Sequence, residues 1–433
     1  MDSFLKGTKI NEITDHLFRR ESAKMVSVLT SILGNDHFDL AEDVVQETLL
    51  QALKEWRFKG VPDNPSGWLF TVAKNKALDV IRRDKKHIQL SAALSDLIEE
   101  RSTQSNPHPL FEHDYFLDEE IKMMFVCANP DLPQESQIAI ILKVLCGFNN
   151  KEIANAFLIS PIAVEKRLTR AKEMLRETKI SFNPLSEPEV TEKTQTVLMS
   201  LYLLFNEGYN SSISSSIIRE ELMDEAIRLT AMLLHIESTS IPETYALLSL
   251  MLFHYSRTKS RLDETGNIIL LKHQNRSRWD QSMISLGLNF YRKSLYGNNI
   301  SKFHIESSIA LEHIKAETYE KTDWNQLIHL YDMLYSLEPS PIVALNRAVV
   351  YGEVYGPDYA LKSIFSDETT SNLKDSHFLF SVIGELYLMK NDINNALISY
   401  EKSLVLCKSE KEKFLIISKI NDIIEKNSNL NSL

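Results

Sequence analysis

Apolar residues recur every three or four positions along nearly the whole chain, and no run of alternating apolar and polar residues interrupts them. That period matches an α-helix with one buried face and excludes a β-sandwich or a parallel sheet. Glycine is scarce, 12 in 433 residues, which also suits helix. The expected fold class is therefore all-α. The longest apolar runs, near Val197–Phe205 and Tyr245–Tyr255, are far shorter than the roughly 20 residues a membrane-spanning helix needs. They read as helices buried in a water-soluble domain.

Breaks in the periodicity divide the chain. Residues 1–88 read as a first helical domain. The stretch 89–118 is polar, acidic and broken by prolines, which is linker composition. Residues 119–180 regain helical periodicity. Two prolines in 181–190 mark a further boundary. A helical region 190–295 and a last one, 300–433, follow a weaker break near 295–303. In the last region Ile383, Gly384, Tyr387, Ala396, Tyr400 and Ser403 fall at the spacing of a tetratricopeptide repeat, and Ala348, Tyr351 and Ala360 repeat that register upstream. Two repeats are too few to stand alone, so they are expected to pack on the helices before them.

The net charge of −11 rules out a general polyanion binder, and most of the acidity lies beyond residue 180. Any nucleic-acid contact must therefore come from local basic patches. The stretch KEIANAFLISPIAVEKRLTRAKEMLRE, 151–177, supplies one. Asn150 is a suitable N-cap for a helix over 151–157, and Ser160 with Pro161 suits the start of a second. Val164, Leu168, Ala171 and Leu175 form its buried stripe, while Lys166, Arg167 and Arg170 project elsewhere and Lys172 and Arg176 add charge on the flanks. Two short helices joined by a tight turn, the second basic, describe a helix-turn-helix.

A second basic element is NPSGWLFTVAKNKALDVIRRDKK, 64–86. Asn64 can cap this helix, and Phe70, Ala73, Ala77 and Ile81 give it an inner face. Asn75, Asp79, Arg82, Arg83 and Lys86 line another face. Trp68 brings an aromatic ring near these groups, a combination that can hold unpaired bases. Just upstream, DLAEDVVQETLLQALKEW carries an apolar stripe of Ala41, Val45, Leu49 and Trp56. Opposite it, Asp39, Asp43, Gln46 and Glu47 form an acidic stripe that would repel DNA and suits a protein partner. The three cysteines match no metal spacing, and His304 and His313 lack ligand spacing, so neither a metal nor a cofactor is expected. No phosphate-binding, zinc-protease or nucleophile-elbow motif occurs, and an enzyme is not expected. Without a signal-peptide h-region, a cytoplasmic protein with reduced thiols is expected.

An acidic AEDVVQET helix, then NPSGWLFTVAKNKALDVIRR, then an acidic linker and a helix-turn-helix together resemble the extracytoplasmic-function group of bacterial RNA polymerase sigma-70 factors. LYLLFNEGYNSS and LLKHQNRSRWD look like the helical extension of a subgroup with a tetratricopeptide-like tail. The resemblance implies that Asp39, Asp43, Gln46 and Glu47 dock on the clamp helices of core RNA polymerase. It further implies that Asp63, Asn64, Trp68, Asn75, Asp79, Arg82, Arg83 and Lys86 serve the −10 promoter element, and that Ser160, Lys166, Arg167, Arg170 and Lys172 serve the −35 element. Glu207, Tyr209, Arg276, Arg278, Trp279 and Asp280 form a candidate regulatory polar cluster in the extension, for a partner protein or ligand. The competing expectation is a helix-turn-helix regulator with a tetratricopeptide-like sensor, acting without replacing a sigma factor.

Overall fold

The computed structural model describes residues 2–33, 37–83, 113–157, 159–177, 187–211 and 217–430; the side chains of 2–16, 32, 81–83, 113–118, 187 and 426–430 fall outside the description. Among the described residues every regular element is helical, with one isolated bridge between Leu262 and Ile268. The expected linker lies outside the description up to residue 112, and Lys86 lies outside it too.

The chain divides into two compact units, Met1–Glu207 with Asp224–Thr239, and Gly208–Met223 with Ser240–Leu433. The first begins with α1 (Asp2–Leu33), α2 (Phe38–Lys59) and α3 (Pro65–Arg83), which pack on one another. Met25, Val26, Val44, Val45, Ala52, Leu69 and Ala73 fill their core, with little or no exposure. Then come α4 (His113–Cys127), α5 (Gln134–Val144), α6 (Asn150–Phe157) and α7 (Pro161–Glu177). Helix α5 is buried almost all round, from Ile138 to Leu142, so α1, α4, α6 and α7 can wrap it. Two elements connect the units along the chain, α8 (Glu187–Tyr209) and α9 (Glu220–Leu233).

Within the first unit, part of α9 is fastened to α4 by charge. The Arg228 guanidinium donates to Glu120 at 2.8 Å and to Glu225 at 2.6 Å. Burial pushes the Glu120 carboxyl above the ordinary range, against the pull of Arg228. At Glu225 burial pushes up too, but the Arg228 hydrogen bond and charge win and hold it low.

The second unit opens on α10 (Pro242–Tyr255), apolar on every side and enclosed by α11 (Gln281–Ser294) and α12 (Lys302–Lys315). The remaining elements are α13 (Trp324–Leu337), α14 (Pro341–Tyr355), α15 (Pro357–Ser366), α16 (His377–Met389), α17 (Ile393–Leu406) and α18 (Glu410–Leu430). Helices α14 with α15, and α16 with α17, are the two hairpins the repeat register marks. Small residues sit where the helices come closest. A Cβ on Gly352 would meet Leu386 at 2.8 Å, and one on Gly384 would meet the Tyr400 ring at 3.1 Å. Their shared core continues back into α12 and α13 through Ile305, Ile309, Leu327 and Leu334. The two repeats thus rest on a preceding helical pair whose sequence lacks the repeat signature.

Candidate nucleic-acid interface

The helix-turn-helix forms at the expected place, with one correction at its start. The N-cap is Asn149 rather than Asn150: Asn149 Oδ1 accepts from the amides of Lys151 and Glu152 at 2.9 and 3.0 Å. Glu152 returns the contact, its Oε2 accepting from the Asn149 amide at 2.6 Å. The reciprocal pair satisfies more free donors than Asn150 could, so the helix starts one residue early. Ser160 caps α7, its Oγ accepting from the Ala163 amide at 3.2 Å. Val164, Leu168, Ala171 and Leu175 are buried as one stripe.

On the outer surface of α7, Ser160, Lys166 and Arg170 are exposed. Arg167 is half-buried, its guanidinium 5.2 Å from the Phe157 ring. Lys172 faces another way: it is paired with Glu42 of α2 and lies 5.8 Å from the Phe38 ring. One turn on, Arg176 reaches Asp39 at 3.2 Å. The end of the basic helix therefore rests on the start of the acidic one. A further tie runs from Arg19 of α1 to Glu152 at 3.6 Å and to the Cys146 carbonyl at 3.3 Å. Gly147 beside it has φ +63°, and a Cβ there would meet the Arg19 side chain at 2.5 Å.

Beyond that contact, α2 stays open. Asp43, Gln46 and Glu47 are exposed, and Glu47 meets Lys76 of α3 at 3.1 Å. Leu50, Leu53 and Phe58 continue the same row in the open, Phe58 at 86 % exposure. Sequence reading singled out the charges of this row and passed over its apolar members. A second apolar set, three and eight residues from Leu50 and off the buried stripe, was the available signal.

Helix α3 starts on Pro65 with Asn64 Oδ1 accepting from the Gly67 amide at 2.9 Å. Phe70, Ala73 and Ala77 are buried, while Asp63, Asn64, Asn75 and Asp79 are exposed. Trp68 is half-buried with its ring 5.4 Å from Trp56, which in turn sits 5.4 Å from Phe18. It is thus partly a core residue with one edge left to solvent. Arg82 and Arg83 lie in the last turn of α3, and their side chains fall outside the described residues.

The candidate polar residues of the extension fall in both units. Glu207 belongs to the first unit and is buried there. In the second unit, Tyr209 stacks under Arg261, 3.6 Å from its guanidinium, with the His254 ring at 4.9 Å. Trp279 is buried between Arg257 at 5.4 Å and Arg276 at 4.8 Å. Arg276 also donates to the carbonyls of His313 and Ala316. Arg278 is exposed, and Asp280 is the N-cap of α11. Arg276 thus meets an indole ring and main-chain oxygens. Burial and then Arg257 hold both histidines low, with Arg261 adding at His254, held at about 3, and Arg276 at His313, held at about 4.

A capped helix-turn-helix with an exposed cationic row, beside a three-helix module with an acidic-apolar face, defines a DNA-reading protein that also docks on a larger partner. Comparison with known families narrows that class. Residues 17–87 match sigma-70 region 2, residues 124–175 match sigma-70 region 4, and residues 193–295 match a family of unknown function, DUF6596. An uncharacterized protein of Rhizobium meliloti is 36 % identical over 76 % of this chain and 77 % of its own length. The ECF RNA polymerase sigma factor SigM of Bacillus subtilis is 28 % identical over 37 % of this chain and 92 % of its own. SigE of Mycolicibacterium smegmatis is 26 % identical over 38 % of this chain and 60 % of its own. The chain belongs to the extracytoplasmic-function sigma factors, which direct transcription initiation. Among the described residues no helix is long and apolar enough to cross a membrane.

Proposed function

We propose that this sigma factor binds the clamp helices of core RNA polymerase through the open row of α2: Asp43, Gln46, Glu47, Leu50, Leu53 and Phe58. The observation that carries this reading is the composition of that row, which pairs carboxylates with apolar side chains that are exposed among the described residues. Exposed apolar groups beside charges suit an interface with a desolvated centre and a steered approach. Asn75, Asp79, Arg82 and Arg83 serve the −10 element, and Lys166, Arg167 and Arg170 the −35 element. Lys172 joins them only when the α2 contact opens. In the isolated chain the Lys172–Glu42 and Arg176–Asp39 pairs hold the two promoter readers together, so this is a resting state that polymerase binding must part. The extension acts as an in-cis regulatory module, in the cytoplasm where the polymerase works, and the protein carries out no chemistry of its own. The regulator that works without polymerase is disfavoured, because such a protein has no use for the α2 row.

Run-off transcription with purified core polymerase tests this reading. Full-length protein should give promoter-dependent transcripts. Asp43→Lys with Glu47→Lys should abolish them and polymerase co-elution together. Charge reversal that left co-elution intact would remove the docking assignment.

A further inference from the structure

The turn between α17 and α18 brings two metal-ligating groups beside a third from the start of α16. His377 opens α16, Cys407 closes α17 and Glu412 lies in the first turn of α18. One ligand atom from each lies within 4.8 Å of the other two. His377 Nε2 is 3.3 Å from Glu412 Oε2, and Cys407 Sγ is 4.0 Å from the same oxygen.

A tetrahedral zinc ion with bonds of about 2.1 Å to nitrogen and oxygen and about 2.3 Å to sulfur sets its ligand atoms roughly 3.4–3.6 Å apart. The nitrogen–oxygen edge already has that length, and a sulfur movement of a few tenths of an ångström completes the oxygen–sulfur edge. His377 Nε2 is buried and makes no hydrogen bond, although a carboxylate oxygen stands beside it. A cation between this nitrogen and the carboxylate oxygen would bond to both.

The backbone around His377 and Cys407 is held in place. Ser403 Oγ donates to the His377 carbonyl at 2.8 Å, and the Cys407 amide donates to the Ser403 carbonyl at 2.9 Å. Such supports fix ligand direction before an ion arrives. The core joining α18 to α17 is small, with Tyr400, Cys407, Ile416 and Ile423 as its buried members.

We propose that His377, Cys407 and Glu412 bind one divalent transition ion of the zinc class, with water at the fourth position. The ion clamps the last helix to the repeat hairpin. A thiolate, an imidazole and a carboxylate select zinc or cobalt over magnesium or calcium. Binding displaces the thiol proton to solvent and leaves the metal's oxidation state unchanged.

Tag-free full-length protein titrated with Co²⁺ tests the site. The expected result is one equivalent bound, with a thiolate-to-cobalt charge-transfer band and the visible bands of tetrahedral cobalt. Cys407→Ser should lose the charge-transfer band. His377→Gln and Glu412→Gln should weaken binding by tenfold or more while melting as wild type in chelator. Zinc should raise the melting temperature of wild type and not of Cys407→Ser. Absence of the band in wild type overturns the proposal. So does a band that persists in Cys407→Ser, since Cys127 or Cys146 would then be its source.

Discussion

At the residue scale, charge burial decides most. Arg228 lies between Glu120 and Glu225, with Glu120 only 2 % exposed. Removing one partner of a buried ion pair strands the other, at a cost of about 3 kcal/mol. Arg228→Met should lose about that much in urea unfolding, and adding Glu120→Gln should recover a good part. An unchanged midpoint would mean that Glu120 finds another partner. Two histidines give a second expectation. The folded chain holds His254 near 3 and His313 near 4, below the unfolded value of 6.5. Below pH 6.5 the unfolded chain takes up protons that the folded chain refuses, so stability falls with pH. The slope is at most about 1.4 kcal/mol per pH unit for each histidine, down to its folded value. Melting temperatures from pH 7 to pH 4 read this, and His313→Gln should flatten the profile. Neither histidine is conspicuous in sequence; only burial among Arg257, Arg261 and Arg276 distinguishes them.

At the element scale, the α2–α7 contact joins an acidic helix to a basic one. Asp39–Arg176 is largely exposed and contributes little; Glu42–Lys172 is more enclosed and carries more. Glu42→Gln weakens the contact without touching the open α2 row or the exposed cations of α7. Its expected effect is a larger distance between dyes on α2 and α7, with a severalfold gain in affinity for core polymerase. A wild-type distance combined with wild-type affinity would show that the pairs do not restrain opening. Both helices were readable from spacing, and the start of α7 from Ser160 and Pro161, which are local signals. Their mutual contact was not, because residues 42 and 172 share no periodicity. Glu42 accordingly carries no signal of its own, and Lys172 and Arg176 are legible only as charge on the flanks of α7.

At the scale of the molecule, the first unit includes Asp224–Thr239, beyond the point where region 4 ends at residue 175. A chain ending near 180 loses Arg228 and leaves Glu120 buried without it. That truncation should express poorly and melt well below a chain ending near 240, which keeps the unit whole. Equal melting of the two by calorimetry would contradict this. Promoter activity of the longer truncation, compared with full-length protein, then isolates the influence of the remaining extension from simple misfolding.

The sequence alone determined the helical class, the two modules that match sigma-70 regions 2 and 4, and the repeat hairpins, because each is encoded by spacing within some thirty residues. Periodicity, caps and small residues at fixed offsets are properties of neighbouring positions, and local sterics and hydrogen bonding act on them directly. Which charges meet was decided only by tertiary packing. Arg228 against Glu120, Lys172 against Glu42, and the meeting of His377, Cys407 and Glu412 all depend on where separate helices come to rest. A side chain's partner across such a distance is fixed by the packing of whole faces, and no pattern within either segment records it.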